Sequence, residues 1–291
     1  MRRNKILPYL LVAPTLLFVT AFTLLPLGEV LVGSLFKHKL NIPRFQHPVF
    51  VGGGNFVSLF HDPDFLQVLA NTGIYVAILI PLLLVASLGL AFLLEGKMRG
   101  IGFFRLAAFH PTILPMVSAA TIWMFLLTPG YGLWNQALHL FGYDGPQNWI
   151  GNPGLALFSL ILTAFWKNVG YLMLFFLSGL QNIDRSVVEA ARLDGAGGLR
   201  LVRKVILPLI RRQTLFVTTV AFIGAFQTVD HVFVLTQGGP SETSALLLYY
   251  LWQMRFERLD IGGSNAVTVI IILVLLTFTV SNFLVSERNE K

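Results

Sequence analysis

Residues 189–208 read EAARLDGAGGLRLVRKVILP, a charged segment rich in small residues, set between two apolar stretches at 155–176 and 214–235. A bilayer core of about 30 Å needs about 20 apolar residues in a helix, and each flank meets that length. Working outward, four more runs satisfy it: 106–127, 72–94, 6–28 and 263–284. No sheet-like alternation runs through the six, and an open sheet would leave its backbone groups unpaired in lipid. The predicted fold class is therefore an all-α polytopic membrane protein of six transmembrane helices, one membrane domain over 1–291, with residues 185–212 looping between the fourth and fifth spans.

Composition agrees. The chain is 55% hydrophobic and only 12% charged, against about 25% charged in soluble domains. With no cysteine, disulfide frameworks, thiolate metal sites and cysteine nucleophiles are excluded. The net charge of +7 comes without any RNA- or DNA-binding motif, so no nucleic-acid partner is expected. An ATP site would need G-x-x-x-x-G-K-[ST], which is absent, and Gly195, Gly197 and Gly198 fail as a dinucleotide loop because Arg200 stands where the last glycine belongs. Any nucleotide chemistry must reside in another polypeptide.

The basic residues explain themselves by side. With the N-terminus inside, one face holds Arg2, Arg3, Lys5, Lys97, Arg99, Arg105, Arg185, Arg192, Arg200, Arg203, Lys204, Arg211, Arg212, Arg288 and Lys291. The other holds Lys37, Lys39, Arg44, Arg255 and Arg258, and Lys167 lies within a span. Cytoplasmic loops carry the excess of Lys and Arg, which places both termini in the cytoplasm. The first run is too long for the apolar part of a secretory signal and lacks a small-residue cleavage site, so it is kept as span one despite Pro8, Pro14 and Pro26.

Polar groups inside spans are default functional candidates because they are costly there. Lys167, flanked by Trp166 and Asn168, either faces a translocation path or is a structural lysine held by carbonyls. Gln227 and Asp230, about one turn apart near the outer end of span five, are either hydrated at the interface or form a polar rim on that path. Pro111 and Pro115 interrupt span three one turn apart. His110 has no second ligand at metal-binding spacing, and Trp134 and Trp149 fit an interfacial aromatic belt. In the opening stretch, Ser186 is a candidate N-cap with Glu189 completing a capping box, and Gly195 is a candidate helix stop. By pattern alone this is a surface turn or a partner-facing helix.

The identities and spacing of Glu189, Ala190, Ala191, Asp194, Gly195, Ala196, Leu207 and Pro208 resemble the cytoplasmic EAA loop of permease subunits of bacterial binding-protein-dependent ABC importers. Val202 departs from the aromatic often found midway, and Arg212 from a second proline. The likeness extends to Leu-Thr-x-Gly-Gly-Pro at 235–240, a Gly-x-x-Asn-aromatic box at Gly52, Asn55 and Phe56, the pair Asp62-Pro63 and the pair Asn71-Thr72. It implies the type I ABC importer permease fold in the bacterial cytoplasmic (inner) membrane, and a carbohydrate-type solute: a sugar, a polyol or a phosphate such as glycerol-3-phosphate. It also implies partners: a second homologous permease, two cytoplasmic ATPase subunits holding ATP and magnesium, an extracytoplasmic solute-binding protein and membrane lipid. The docking residues would be Glu189, Ala190, Ala191, Asp194, Gly195 and Ala196, with no cofactor in this chain and no enzyme activity of its own. A gradient-driven secondary transporter is the competing class, but it would need buried acidic pairs, and only Asp230 approaches that. An intramembrane hydrolase would need a Ser/His or paired-Asp set inside spans, and none is visible.

Overall fold

The computed structural model describes residues 7–96, 99–143 and 147–287. The basic residues Arg2, Arg3, Lys5, Lys97, Arg288 and Lys291 counted above lie outside them. Among the described residues, four helices are long and apolar enough to cross a membrane: Tyr9–Gly33, Pro63–Leu94, Pro153–Gln181 and Ile261–Leu284. Two bent pairs raise the number to six, Ile101–Ile113 with Met116–Leu127 and Gly198–Leu209 with Arg211–Gln227. The described residues cluster into two compact units, Gln67–Tyr249 with the chain from Val274 onward, and the chain up to Leu66 with Tyr250–Leu273.

In the unit that contains the first span, that helix widens into a π turn at Thr20–Leu24. Pro26 follows within a turn and has no N–H to return to the carbonyl of Phe22, which loosens the ladder there. After Gly33 comes a hairpin of two-residue strands, Phe36–Lys37 paired antiparallel with Val49–Phe50. Buried Asn55 donates to the carbonyls of Ser34 at 2.7 Å and Phe36 at 2.9 Å, so the Gly-x-x-Asn box ties the chain leaving span one. Asp62 accepts from the backbone N–H of Asp64 at 3.0 Å, and Pro63 opens the helix behind it. That cap starts the second helix nine residues before the apolar run does, because a capped proline at the first turn needs no apolar residues to begin a helix. The Tyr250 hydroxyl donates to Asp62 at 2.9 Å, and the Arg258 guanidinium lies 5.1 Å from the Tyr250 ring centre. Lys39 pairs with buried Asp260 at 2.6 Å, whose other oxygen accepts from the N–H of Gly263 at the start of the last helix.

In the other unit, the third span is broken, its halves meeting at 100°. Leu114 is extended (ψ 138°) between them and Pro115 precedes the second half. The first half packs on the long helix Pro153–Gln181 at Gly170, where a Cβ would overlap the carbonyl oxygen of Ala108. The second half buries Ala119, Ala120, Trp123 and Leu127 and packs on the short helix Asp230–Leu235. Residues 214–235, read from the sequence as one helix, are in fact two: Arg211–Gln227 and Asp230–Leu235, separated by extended Thr228 (ψ 116°). Arg105 donates twice to the carbonyl of Leu94, at 3.0 and 2.7 Å, capping the C-terminus of the second helix where a cation is favoured by the helix dipole.

Candidate functional site

The opening stretch forms a helix at Arg185–Leu193. Its N-cap is Asp184, not Ser186: the Asp184 carboxylate accepts from the N–H of Ser186 at 2.9 Å. Aspartate and serine cap comparably well, and capping at the aspartate two residues earlier lengthens the helix by about half a turn. That N–H holds the Asp184 carboxyl below its usual range. At the other end the N–H of Ala196 bonds the carbonyl of Ala191 at 2.9 Å and that of Gly195 bonds Arg192 at 3.0 Å. This is a Schellman stop with Gly195 at φ +82°. The helix stands proud: Leu193 is 90% exposed and Leu199, just beyond, 66%. Beside it lies a cleft of about 470 Å³ lined by Phe92, Glu95, Leu180, Arg185, Glu189 and Arg192. Exposed leucines beside alternating charges form a surface suited to a protein partner.

Lys167 lies elsewhere, at the break in span three. Its ammonium donates to the carbonyls of Thr112 at 3.1 Å and Leu114 at 2.6 Å, and the Thr112 hydroxyl returns a bond to the carbonyl of Lys167 at 2.9 Å. The bend removes the helical partners of those carbonyls, and the lysine replaces them. Trp166 packs edge-on against Trp123 at 6.0 Å, and Trp134 stacks on the other side at 6.2 Å. The Trp149 ring N–H donates to Asn135 at 3.0 Å.

Asn168 lines a cavity of about 110 Å³ with Tyr75, Tyr171 and Thr228 among its walls. At about 30 Å³ per water, it has room for a few waters. Its polar floor continues inward: the Tyr75 hydroxyl lies 3.2 Å from Nε2 of His231, and both side chains are fully buried. Of the five residues expected on the path, only Asn168 therefore faces this cavity. Lys167 and Trp166 serve the break, and Gln227 and Asp230 are exposed on two separate helices. Tyr75 and His231 went unnoticed in the sequence, where their signal was a tyrosine in span two and a histidine beside Asp230.

The turn at 235–240 is held at many points. Asn71 donates to the carbonyls of Glu242 at 2.7 Å and Ala245 at 3.2 Å, and Thr72 accepts from the N–H of Leu247 at 3.0 Å. The Ser244 hydroxyl donates to the carbonyl of Gly239 at 2.6 Å, and that of Tyr249 to Gln237 at 3.0 Å. Gln237, Ser241 and Glu242 all have positive φ. This conformation is costly for such residues, and the surrounding bonds hold it.

Residues 54–289 match the family described as the binding-protein-dependent transport system inner membrane component. The chain is 36% identical, over 98% of its length and 95% of the relative's, to the sn-glycerol-3-phosphate transport system permease protein UgpA of Yersinia enterocolitica. It is also 36% identical to the protein of that name from Escherichia coli, over 97% of this chain and 94% of that one. Among solved structures, a bacterial ABC transporter involved in import of the acidic polysaccharide alginate superposes with a TM-score of 0.82 at 18% identity, covering 98% of this chain and 96% of that one. A bacterial alginate ABC transporter in complex with an alginate pentasaccharide-bound periplasmic protein gives 0.80 at 18% identity, covering 98% and 95%.

Proposed function

The chain belongs to the family of inner membrane components of binding-protein-dependent transport systems, and from that premise we propose that it passes a glycerol-3-phosphate-type, sugar or polyol solute across the membrane by alternating access. It is a permease subunit of a binding-protein-dependent ABC importer with the type I importer fold, a conduit and not an enzyme. The gradient-driven alternative falls away with that membership. The substrate class rests on the 36% identity over nearly the whole chain to glycerol-3-phosphate permeases, the single observation that carries this reading.

The finer parts of the proposal follow from the loop and the cavity. Of two cytoplasmic ATPase subunits, holding ATP and magnesium, one docks on the Arg185–Leu193 helix, and a second homologous permease completes the pathway. Both termini face the cytoplasm, as the fifteen-to-five basic asymmetry of the sequence supports. Glu189 offers its carboxylate to a basic group or backbone donors on the ATPase, while Ala190, Ala191 and Ala196 allow close approach. Asp194 and Gly195 end the helix so that it moves as one rigid piece. ATP binding pulls that piece and turns the bundle outward to receive solute from the binding protein; hydrolysis resets it. On the path, Asn168 supplies a polar contact from the cavity, and Gln227 and Asp230 a polar rim.

Purified permease, partner permease, ATPase and binding protein in proteoliposomes test the reading. ATP-dependent uptake of radiolabelled sn-glycerol-3-phosphate or a sugar is expected, and Gln227→Ala should lower it with complex assembly intact. Uptake of neither solute class would overturn the substrate assignment.

A further inference from the structure

A groove of about 560 Å³ lies in the unit that contains the first span, lined by the end of that span, the hairpin and the start of the last helix. Three polar side chains converge on it: Glu29, His38 and Asn265. None of the three has a hydrogen bond or ion pair to another described residue, and Glu29 lies within the membrane-spanning helix Tyr9–Gly33. Four residues before Gly33, it sits about 6 Å inside the helix end at 1.5 Å per residue. A carboxylate held there without a cationic partner is a functional candidate by default. The remaining lining is carbon: Leu24, Leu25 and Val32 are 54%, 60% and 59% exposed. The Asn265 amide lies over Gly33, in the space a Cβ there would take, so it reaches the wall of the groove formed by span one.

We propose that this groove binds a zwitterionic phospholipid with a primary ammonium headgroup, of the phosphatidylethanolamine type. The charge pattern selects it. The Glu29 carboxylate accepts from the ammonium, a charge-assisted bond stronger than a neutral one. The Asn265 amide and the His38 ring N–H donate to the phosphodiester oxygens, and the acyl chains lie along Leu24, Leu25 and Val32. An anionic headgroup such as phosphatidylglycerol would bring its phosphate to the same place and offer Glu29 only neutral hydroxyl donors, whose bonds are weaker than that of an ammonium. A choline headgroup would bring a cation that cannot donate a hydrogen bond. Apolar walls with a few convergent polar groups characterise ligand sites in general; here the walls lie on a lipid-crossing helix, which makes the ligand a lipid.

The assembled transporter, washed in mild detergent and re-exposed to vesicles of phosphatidylethanolamine, phosphatidylglycerol or phosphatidylcholine, reports retained lipid by native mass spectrometry. Retention of phosphatidylethanolamine is expected to exceed that of the other two about tenfold, the factor one charge-assisted bond supplies. Glu29→Gln should erase that preference. Val32→Trp, which fills the groove without touching the charge, should abolish retention while the complex still assembles, and it decides the matter if Glu29→Gln fails to assemble. Equal retention of the three lipids overturns the proposal, as does undiminished preference in Glu29→Gln. So does a photo-crosslinker at Val32 that captures a partner subunit in place of lipid.

Discussion

The ammonium of Lys167 donates to the carbonyl of Leu114 at 2.6 Å, so a lysine of one transmembrane helix closes the break in another. The bend at Pro115 and the charge in span four are thus one feature. Lys167→Met keeps the aliphatic stem and leaves the carbonyls of Thr112 and Leu114 without this donor. An orphaned buried polar group costs about 1–3 kcal/mol, and the site is only part-buried, so a total loss of about 2 kcal/mol is expected. Lys167→Arg should recover part of it. Denaturant unfolding of the purified complex measures this, and an unshifted midpoint for Lys167→Met would show that the brace contributes nothing.

Gly195 offers a graded test of coupling. A Cβ there would meet nothing within 4 Å, so the cost of substitution is purely the left-handed backbone at φ +82°. Gly195→Asn should be tolerated, because asparagine visits that region readily. Gly195→Val should cost about 1–3 kcal/mol and release the ATPase or uncouple its hydrolysis from transport, with the bundle still folded. Co-purification of ATPase and binding-protein-stimulated hydrolysis in proteoliposomes are the readouts. Equal behaviour of the two variants would remove the helix stop from the coupling argument.

Orientation can be read with single cysteines, since the native chain has none. Ser186 and Gly53 are both exposed, and a side chain at Gly53 enters open space. In intact cells an impermeant thiol reagent should label Gly53→Cys and spare Ser186→Cys. The opposite pattern would invert the topology.

Acid should loosen the start of the loop helix. The Asp184 pKa is depressed by its bond from the Ser186 N–H, so its stabilising effect is present above the ordinary carboxylate pKa and is lost as pH falls through the depressed one. Hydrogen exchange at Ser186, corrected for intrinsic rate, should rise in that acidic window and not between neutral pH and mild acidity. In Asp184→Asn, the acid-induced change should vanish. Identical pH profiles in the two proteins would rule out Asp184 as the titrating cap.

What the sequence could and could not yield follows from the range of each interaction. Six apolar runs and the EAA spacing are local patterns, and they led to the fold class and the importer family. Pro111 and Pro115 announced a disturbance, but the donor that meets the carbonyls at the 100° bend is Lys167, more than fifty residues away. The split after Gln227 carries no glycine or proline to mark it, so Gln227 and Asp230, expected about one turn apart in one helix, stand on two. Glu29 was overlooked because the apolar run was ended at Gly28, whereas Val30, Leu31 and Val32 continue the helix to Gly33. Asp184 lost to Ser186 as the expected cap because the capping-box spacing to Glu189 was given more weight than the aspartate upstream.

The bonds from Asn71 to the carbonyls of Glu242 and Ala245 set a timetable for biogenesis. Asn71 emerges from the ribosome 171 residues before Glu242, an interval of roughly 10 to 30 s at bacterial or eukaryotic elongation rates of about 5–20 residues per second. During that time the Asn71 amide has no acceptor and the Thr72 hydroxyl no N–H donor from the turn, and the second helix must be kept company by water, the insertion machinery or a holding chaperone. The turn is thus a late stitch, closing on a helix that has waited for most of the chain to be made.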